Sequence, residues 1–146
     1  MSRKNILIIG LLFFGFLSFS QRSDSLEINF NIIDEQRISV VAIEQFVIES
    51  DSVYLAIATN PDTIFMRETD FNNNAVLIRN VFTDNRAEID YKLVYVASER
   101  KIICFETITD GGSRGMKFSS FWLLFDKPSD EFVIETITIN KPMRNY

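Results

Sequence analysis

The sequence predicts an all-β, single-domain protein, an antiparallel β-sandwich of about 7–9 strands that follows an N-terminal signal peptide. Three observations predict this class. Apolar and polar residues alternate with a period of two in several segments beyond residue 25, and no sustained helical period is present. Turn-forming residues separate these segments at short intervals. The chain has 146 residues, of which 47% are hydrophobic, and this length supports one core rather than two.

The first twenty residues have the pattern of a cleaved signal peptide. Arg3 and Lys4 form a positively charged start, residues 6–19 form an apolar run, and small residues precede Gln21. This run is shorter than the roughly 20 residues that a transmembrane helix needs, so cleavage is favoured over an uncleaved anchor. The mature chain is expected to be secreted or periplasmic and not integral to the membrane. The predicted organisation is a signal peptide at 1–20, a linker at 21–25, the β-sandwich domain at 26–140 and a C-terminal tail at 141–146.

Strands are predicted in order along the first half of the mature chain. Residues 26–32 alternate strictly between apolar and polar side chains, which indicates one half-buried strand. Residues 38–48 are rich in Val, Ile and Phe and predict a bulged strand, with a helix over residues 36–59 as the alternative. Residues 53–58 and 63–67 are expected to be extended on either side of an Asn-Pro-Asp turn.

The second half predicts a further run of antiparallel strands. Residues 89–95 and 102–108 are expected to form a hairpin around the polar turn at 98–101. Residues 121–125 are five consecutive large apolar side chains, which predict a central strand that is buried on both faces. A turn at 127–130 then leads into a last strand at 132–139.

Composition excludes several classes of chemistry. The chain has no histidine and one cysteine, so histidine-dependent nucleophilic catalysis, imidazole metal ligands and an intrachain disulfide are excluded. The net charge is −5, and loss of Arg3 and Lys4 with the signal peptide leaves 13 basic and 20 acidic residues, 13 − 20 = −7. The basic residues are scattered rather than clustered, so no nucleic-acid partner is expected. No cofactor is predicted.

One stretch resembles a known family. Residues 69–81 read Thr-Asp, a polar turn and an apolar strand, and residues 91–97 continue as Tyr-Lys-Leu-Val-Tyr-Val-Ala. This pattern resembles the carboxypeptidase regulatory-like and collagen-adhesin B-type domains, which are small prealbumin-like β-sandwiches. Residues 28–34 and 39–46 are similar to the first two strands of that family, so the resemblance covers residues 26 to about 110. It implies a noncatalytic accessory or structural module and supplies no catalytic residues.

The loop after residue 69 is a candidate calcium site. Asp70, Asn72 and Asn74 place oxygen atoms at alternate positions, which is the spacing of the first ligands in a calcium loop. Ala75 and Val81 stand where an EF-hand needs Gly and Glu, so that class is excluded. An Asn-rich hairpin turn is the favoured interpretation.

A glycine-rich loop and an aromatic segment are candidate ligand-binding residues. Gly111 and Gly112 could turn backbone amides towards an anion beneath Arg114, although a hairpin loop is favoured. Trp122, with its neighbouring phenylalanines at 118, 121 and 125, could line a sugar or peptide groove if exposed. Core packing is the favoured interpretation for these rings. Cys104 is expected to be buried and unreactive between Ile103 and Phe105.

These observations predict a secreted, noncatalytic accessory, adhesion or protein-interaction module of the bacterial envelope. Its partner would be an unidentified envelope or extracellular protein. A small-ligand or carbohydrate-binding protein is one alternative. A small hydrolase with an α+β cone fold, acting through carboxylates alone, is the other.

Overall fold

The computed structural model describes residues 24–33 and 43–143. The predicted signal peptide and the first part of the predicted strand at 38–48 lie outside the described residues. The described residues contain eight strands, two short α-helices and one 3-10 turn. The elements are β1 Ser25–Ile28, β2 Phe30–Ile33, β3 Gln45–Ile48, α1 Asp51–Ile57, α2 Thr63–Thr69, β4 Asn74–Asp84, β5 Glu88–Val96, the 3-10 turn Ala97–Glu99, β6 Lys101–Thr109, β7 Met116–Asp126 and β8 Val133–Lys141.

The strands form two four-stranded sheets, as expected for a β-sandwich. Sheet A has the order β1-β5-β6-β8 and sheet B the order β2-β7-β4-β3. The predicted hairpin is confirmed, because β5 and β6 pair antiparallel around the 3-10 turn. One pair departs from the antiparallel prediction, since β8 runs parallel to β6. The chain crosses to β7 in sheet B and then returns, and these two reversals restore the direction of β6.

The predicted strand over residues 26–32 divides at Asn29 between the two sheets. β1 pairs with β5 in sheet A, whereas β2 pairs with β7 in sheet B. Ile28 and Phe30 pack against the core on either side of this break. Leu26 and Ile32 belong to the same alternating apolar set as Ile28 and Phe30, but their side chains are exposed. The period of two therefore identified extended backbone, and the change of sheet decided which side chains are buried.

The prediction of extended chain over residues 53–58 and 63–67 is wrong, because both segments are helical. Ser50 caps α1, its hydroxyl accepting a hydrogen bond from the Val53 amide at 3.3 Å. Asp62 caps α2, its carboxylate accepting from the amides of Ile64 at 2.8 Å and Phe65 at 3.3 Å. These caps satisfy amides that a short helix otherwise leaves unpaired. Local capping therefore outweighs the β propensity of the apolar residues.

The helices cover one face of sheet B, so the molecule has three layers and two apolar clusters. The cluster between sheet B and the helices includes Tyr54, Phe71 and Trp122. The cluster between the two sheets includes Leu77, Leu123 and Phe125. β7 lies between β2 and β4, and its consecutive side chains supply both clusters. The prediction that residues 121–125 form a central strand is confirmed.

Candidate functional site

The candidate calcium residues form the turn that joins α2 to β4, rather than a hairpin turn. Asp70 ends α2 in the left-handed conformation, with φ of 49°. Its carboxylate accepts a 2.7 Å hydrogen bond from the Asn73 side-chain amide, while the Asn74 side-chain amide donates to the Thr69 carbonyl at 2.8 Å. Asn72 lines a neighbouring open cavity. Asp70 and Asn74 thus take part in hydrogen bonds that close the turn, and Asn73 rather than Asn72 is the partner of Asp70.

A lysine side chain supplies the positive charge beside this turn. The Lys127 ammonium donates to the Phe71 carbonyl and, at 3.1 Å, to the Glu49 carbonyl, and the Lys127 amide donates to the Asn73 carbonyl at 2.8 Å. The adjacent cavity has a volume of about 750 Å³, and polar, charged and apolar side chains line it. No cluster of three or more His, Cys, Asp or Glu within residues 24–33 and 43–143 could hold a metal ion.

The glycine-rich loop carries the chain from β6 in sheet A to β7 in sheet B, so it is not a hairpin loop. Its amides do converge on anions, and those anions are carboxylates of the same chain. The Gly111 amide donates to Asp84 at 3.0 Å, and the Gly112 amide donates to Asp110 at 2.8 Å. A Cβ at Gly111 would lie 2.2 Å from the Arg86 carbonyl carbon, so only glycine fits there.

The Asp84 carboxylate provides a pH-dependent test of this loop. Hydrogen bonds from the backbone amides of Gly111 and then Arg86 lower the pKa of Asp84 below its ordinary value of 3.8. The folded state therefore favours the carboxylate, and this contribution to stability is present above pH 3.8 and lost as the pH falls through the lowered pKa. In an NMR titration we expect the Asp84 carboxyl to titrate below its ordinary value and the Gly111 amide to follow it. An Asp84 carboxyl group that titrates at its ordinary pKa would contradict the hydrogen bond from Gly111 to Asp84. A pH-dependent change in the Gly111 amide chemical shift that persists in Asp84→Asn would contradict it as well.

Trp122 belongs to the core, as the sequence favoured. Its side chain is 2% exposed, its indole N–H donates to the Ser120 hydroxyl at 3.2 Å, and its ring meets that of Phe65 edge-on at 6.2 Å. Phe125 is also buried, and Phe121 is half-buried against Tyr91. Trp122 therefore does not line a groove.

Phe118 lies on the same face of β7 as Trp122, but it is 56% exposed. It stands directly opposite Phe82 of β4, which is 68% exposed, and the two ring centres are 6.4 Å apart. Met116 lies on the same face and is exposed as well. Among the described strands, β2 and β3 pair with the other halves of β7 and β4, so in this part of the chain the three residues lie on a two-stranded extension of sheet B. We call Phe82, Met116 and Phe118 the aromatic ribbon patch.

Charged residues border the aromatic ribbon patch. Asp84 and Asp110 accept hydrogen bonds from loop amides, as described above. Arg86 and Arg114 are exposed, and neither forms an ion pair with another residue in the described part of the chain. These two arginines lie in the loops that follow β4 and precede β7, which are joined by a hydrogen bond from the Asn85 amide to the Gly115 carbonyl. Arg114 and Phe118 of this arrangement are candidates from the sequence, whereas Phe82 has no local signal that marks it.

A buried ion pair between the sheets was also missed by the sequence analysis. Arg79 on β4 and Glu106 on β6 are each 1% exposed, and the guanidinium binds both carboxylate oxygens at 3.1 Å. The Arg79 guanidinium also donates to the Glu44 carbonyl at 3.1 Å, and the Thr138 hydroxyl donates to Glu106 at 3.0 Å. Burial opposes the charge of Arg79, but hydrogen bonds and the charge of Glu106 raise the pKa of Arg79 overall. The pair ties the sheets together and has no access to a substrate.

Cys104 lies in the same core and is fully buried, as predicted. Burial raises the pKa of its thiol to about 11, against an ordinary value of 9.0. The thiol is therefore protonated at neutral pH and unsuited to nucleophilic attack.

A scan against protein-family models and searches of curated proteins and solved structures found no match to this chain. The resemblance to prealbumin-like domains consequently stays a prediction. Within residues 24–33 and 43–143, none of the helices has the length and apolar character needed to cross a membrane.

Proposed function

We propose that the mature chain is an exported, noncatalytic interaction module that binds a partner protein through the aromatic ribbon patch. The observation that carries this proposal is the pair Phe82 and Phe118, which lie side by side and are both more than half exposed. Exposed apolar groups that adjoin one another mark interaction surfaces, and aromatic residues, Met and Arg are enriched in such interfaces. The accessory role implied by the family resemblance agrees with this function.

The charges beside the patch indicate the chemistry of the partner. Arg86 and Arg114 lie in the loops next to the ends of β4 and β7 that carry the rings, and they lack intrachain ion pairs among the described residues. A partner segment that presents a large apolar side chain flanked by carboxylates would complement both features. An envelope or extracellular protein with such a segment is the proposed partner.

Carbohydrate binding is the second candidate, because the same two rings could stack against the apolar face of a sugar. In this candidate function the sugar would stack on Phe82 and Phe118 and not on Trp122, because the helices cover Trp122. The hydrolase candidate has less support, since the buried carboxylate Glu106 is bound to Arg79 and Thr138.

The test is selection of a phage-displayed peptide library on the immobilised chain that starts at Gln21. We expect enriched peptides to combine an aromatic or large aliphatic residue with Asp or Glu. They should bind the double variant Phe82→Ser/Phe118→Ser at least about tenfold more weakly, because interface aromatics carry much of the binding free energy. Leu26→Ser is the matched control, since Leu26 is equally exposed on sheet A, and binding to it should not change.

Three outcomes would contradict the proposal. The first is failure to enrich any peptide, and the second is equal binding to the wild-type chain and the double variant. The third is binding on a glycan array that depends on Phe82 and Phe118 when no peptide binds, which would favour the carbohydrate candidate. Circular dichroism of the double variant should match the wild type, because both side chains are mostly exposed.

A further inference from the structure

Within residues 24–33 and 43–143, β8 is an edge strand. It pairs with β6 along one side, and no described strand pairs with its other side. The Val133 amide donates to the Arg100 carbonyl at 3.1 Å and the Lys141 carbonyl accepts from the Asp110 amide at 3.0 Å, so the odd-numbered residues of β8 face β6. The amide and carbonyl of one strand residue point to the same side, and the side alternates along the strand. The even-numbered residues therefore face away from the sheet.

The outward-facing residues fall into two groups. The carbonyl of Ile134 accepts a 3.2 Å hydrogen bond from the Gln45 side chain of β3. The backbone groups of Thr136, Thr138 and Asn140 have no hydrogen-bond partner elsewhere in the described part of the chain. Such an edge can pair with another strand, and β8 lacks the proline or inward-pointing charge that usually prevents this.

We propose that the strand that pairs with this edge is β8 of a second copy of the chain, antiparallel and centred on Thr138. In this register Thr138 opposes the partner's Thr138, and Thr136 opposes the partner's Asn140. Each residue with unpaired backbone groups then meets another from the same set. Ile134 falls opposite the partner's Pro142, which has no amide hydrogen, and its carbonyl already has the Gln45 donor.

Charge complementarity selects this register. With Thr138 at the centre, Glu135 opposes the partner's Lys141, and Ile137 opposes the partner's Ile139. The two-fold axis repeats both pairs, so the interface has matched charges and matched apolar side chains on one face. A shift of the centre to Ile137 would place Glu135 opposite Ile139. A shift to Ile139 would place Lys141 opposite Ile137. Both alternatives lose the Glu–Lys pairs.

The dimer surface is the outer edge of β8 in sheet A, whereas Phe82 and Phe118 belong to sheet B. The two surfaces adjoin at one end, because Phe82 lines the same open cavity as Asn140 and Lys141. Dimerisation would join two copies of sheet A into one eight-stranded sheet through backbone hydrogen bonds of β8, which the aromatic ribbon patch does not supply. The inference therefore goes beyond the proposed function, and either proposal can fail without the other.

The first experiment measures the oligomeric state of the chain from Gln21 by analytical ultracentrifugation over a range of concentrations. We expect a reversible dimer. Asn140→Pro removes an outward amide hydrogen and leaves the bonds to β6 intact, so it should abolish the dimer with little change in circular dichroism. Leu26→Ser is the control, since Leu26 is exposed on β1 at the opposite edge of sheet A, and this variant should dimerise as the wild type does. A monomeric wild type, or a dimer that survives Asn140→Pro, would overturn the proposal.

The second experiment tests the register by charge reversal. Glu135→Lys and Lys141→Glu each place like charges opposite each other, so each variant alone should dimerise about tenfold more weakly. An equimolar mixture of the two variants restores opposite charges in both cross-strand pairs, and it should form a heterodimer as tightly as the wild type. Glu135 also forms an ion pair with Lys101 of its own chain, with 3.0 Å between the ammonium and the carboxylate, and Glu135→Lys loses this pair too. The mixture restores tight dimerisation only if residue 135 of one copy opposes residue 141 of the other. A mixture no tighter than the single variants would overturn the register.

Discussion

Replacing Arg79 with methionine should lower the free energy of unfolding by about 3–5 kcal/mol, because the Glu106 carboxylate then stays buried without its counterion. The expected loss is large because Glu106 is 1% exposed and accepts both of its short charged hydrogen bonds from Arg79. The total stability of a domain is on the order of 5–15 kcal/mol, so this variant should be close to unfolding at ambient temperature. Urea unfolding followed by circular dichroism measures the change.

Two further variants distinguish the effect of losing the charge from the effect of losing the side-chain volume. Arg79→Met/Glu106→Leu removes both charges and should recover most of the lost stability, since two apolar side chains of similar volume can replace a buried pair. Arg79→Lys keeps the charge but loses the two-point geometry, so its stability should lie between those of the wild type and Arg79→Met. A double variant that is less stable than Arg79→Met would show that the pair contributes more than mutual neutralisation.

Trp122→Ala should also be among the most destabilising single substitutions, with a loss of about 3–5 kcal/mol. The indole is 2% exposed and packs beneath α1 and α2 among the aromatic residues of that cluster. Its removal would leave a cavity that the short helices and the central strand cannot fill without moving. Thermal unfolding by calorimetry and urea unfolding provide two independent measurements.

Phe118→Ala is the matched control for Trp122→Ala. Phe118 lies four residues earlier on the same face of β7, and it is 56% exposed. We expect a change within about 0.5 kcal/mol, as for other surface substitutions. Equal destabilisation by the two variants would contradict the assignment of Phe118 to the aromatic ribbon patch, because it would mean that Phe118 is covered in solution.

Strand elements with many large apolar residues could be predicted from the sequence alone. The five apolar side chains at 121–125 required burial on both faces, and β7 is indeed between two neighbours in sheet B. The β5–β6 hairpin was predicted from the alternation of apolar and polar residues around a polar turn. The burial of Cys104 was predicted from its apolar neighbours. In each case the signal is local, since side-chain direction alternates with every residue of a strand.

The two helices were missed although their capping residues were visible in the sequence. Ser50 and Asp62 are favourable N-caps, although Asp62 is also a typical turn residue within Asn-Pro-Asp, and the sequence prediction used only that second property. Each helix has seven residues, which is too short for a clear period of 3.6. Their apolar residues have β propensity, but packing on sheet B stabilises the helical form, since tertiary contacts outweigh weak local preferences.

The candidate site depended on contacts that no local pattern encodes. Phe82 and Phe118 become neighbours only because β4 and β7 pair in one register, and Arg79 meets Glu106 only because β4 and β6 face each other across the sandwich. The parallel direction of β8 likewise follows from two crossings between the sheets.

The sequence by itself determined that much of the chain beyond residue 25 is extended, that residues 121–125 are buried on both faces, and that histidine chemistry is absent. Only the tertiary structure decided that Trp122 is covered while Phe118, on the same face of the same strand, is exposed. The physical reason is that a side chain's direction depends on its own backbone. Its burial depends on whether a distant element, here the helix pair, packs above it.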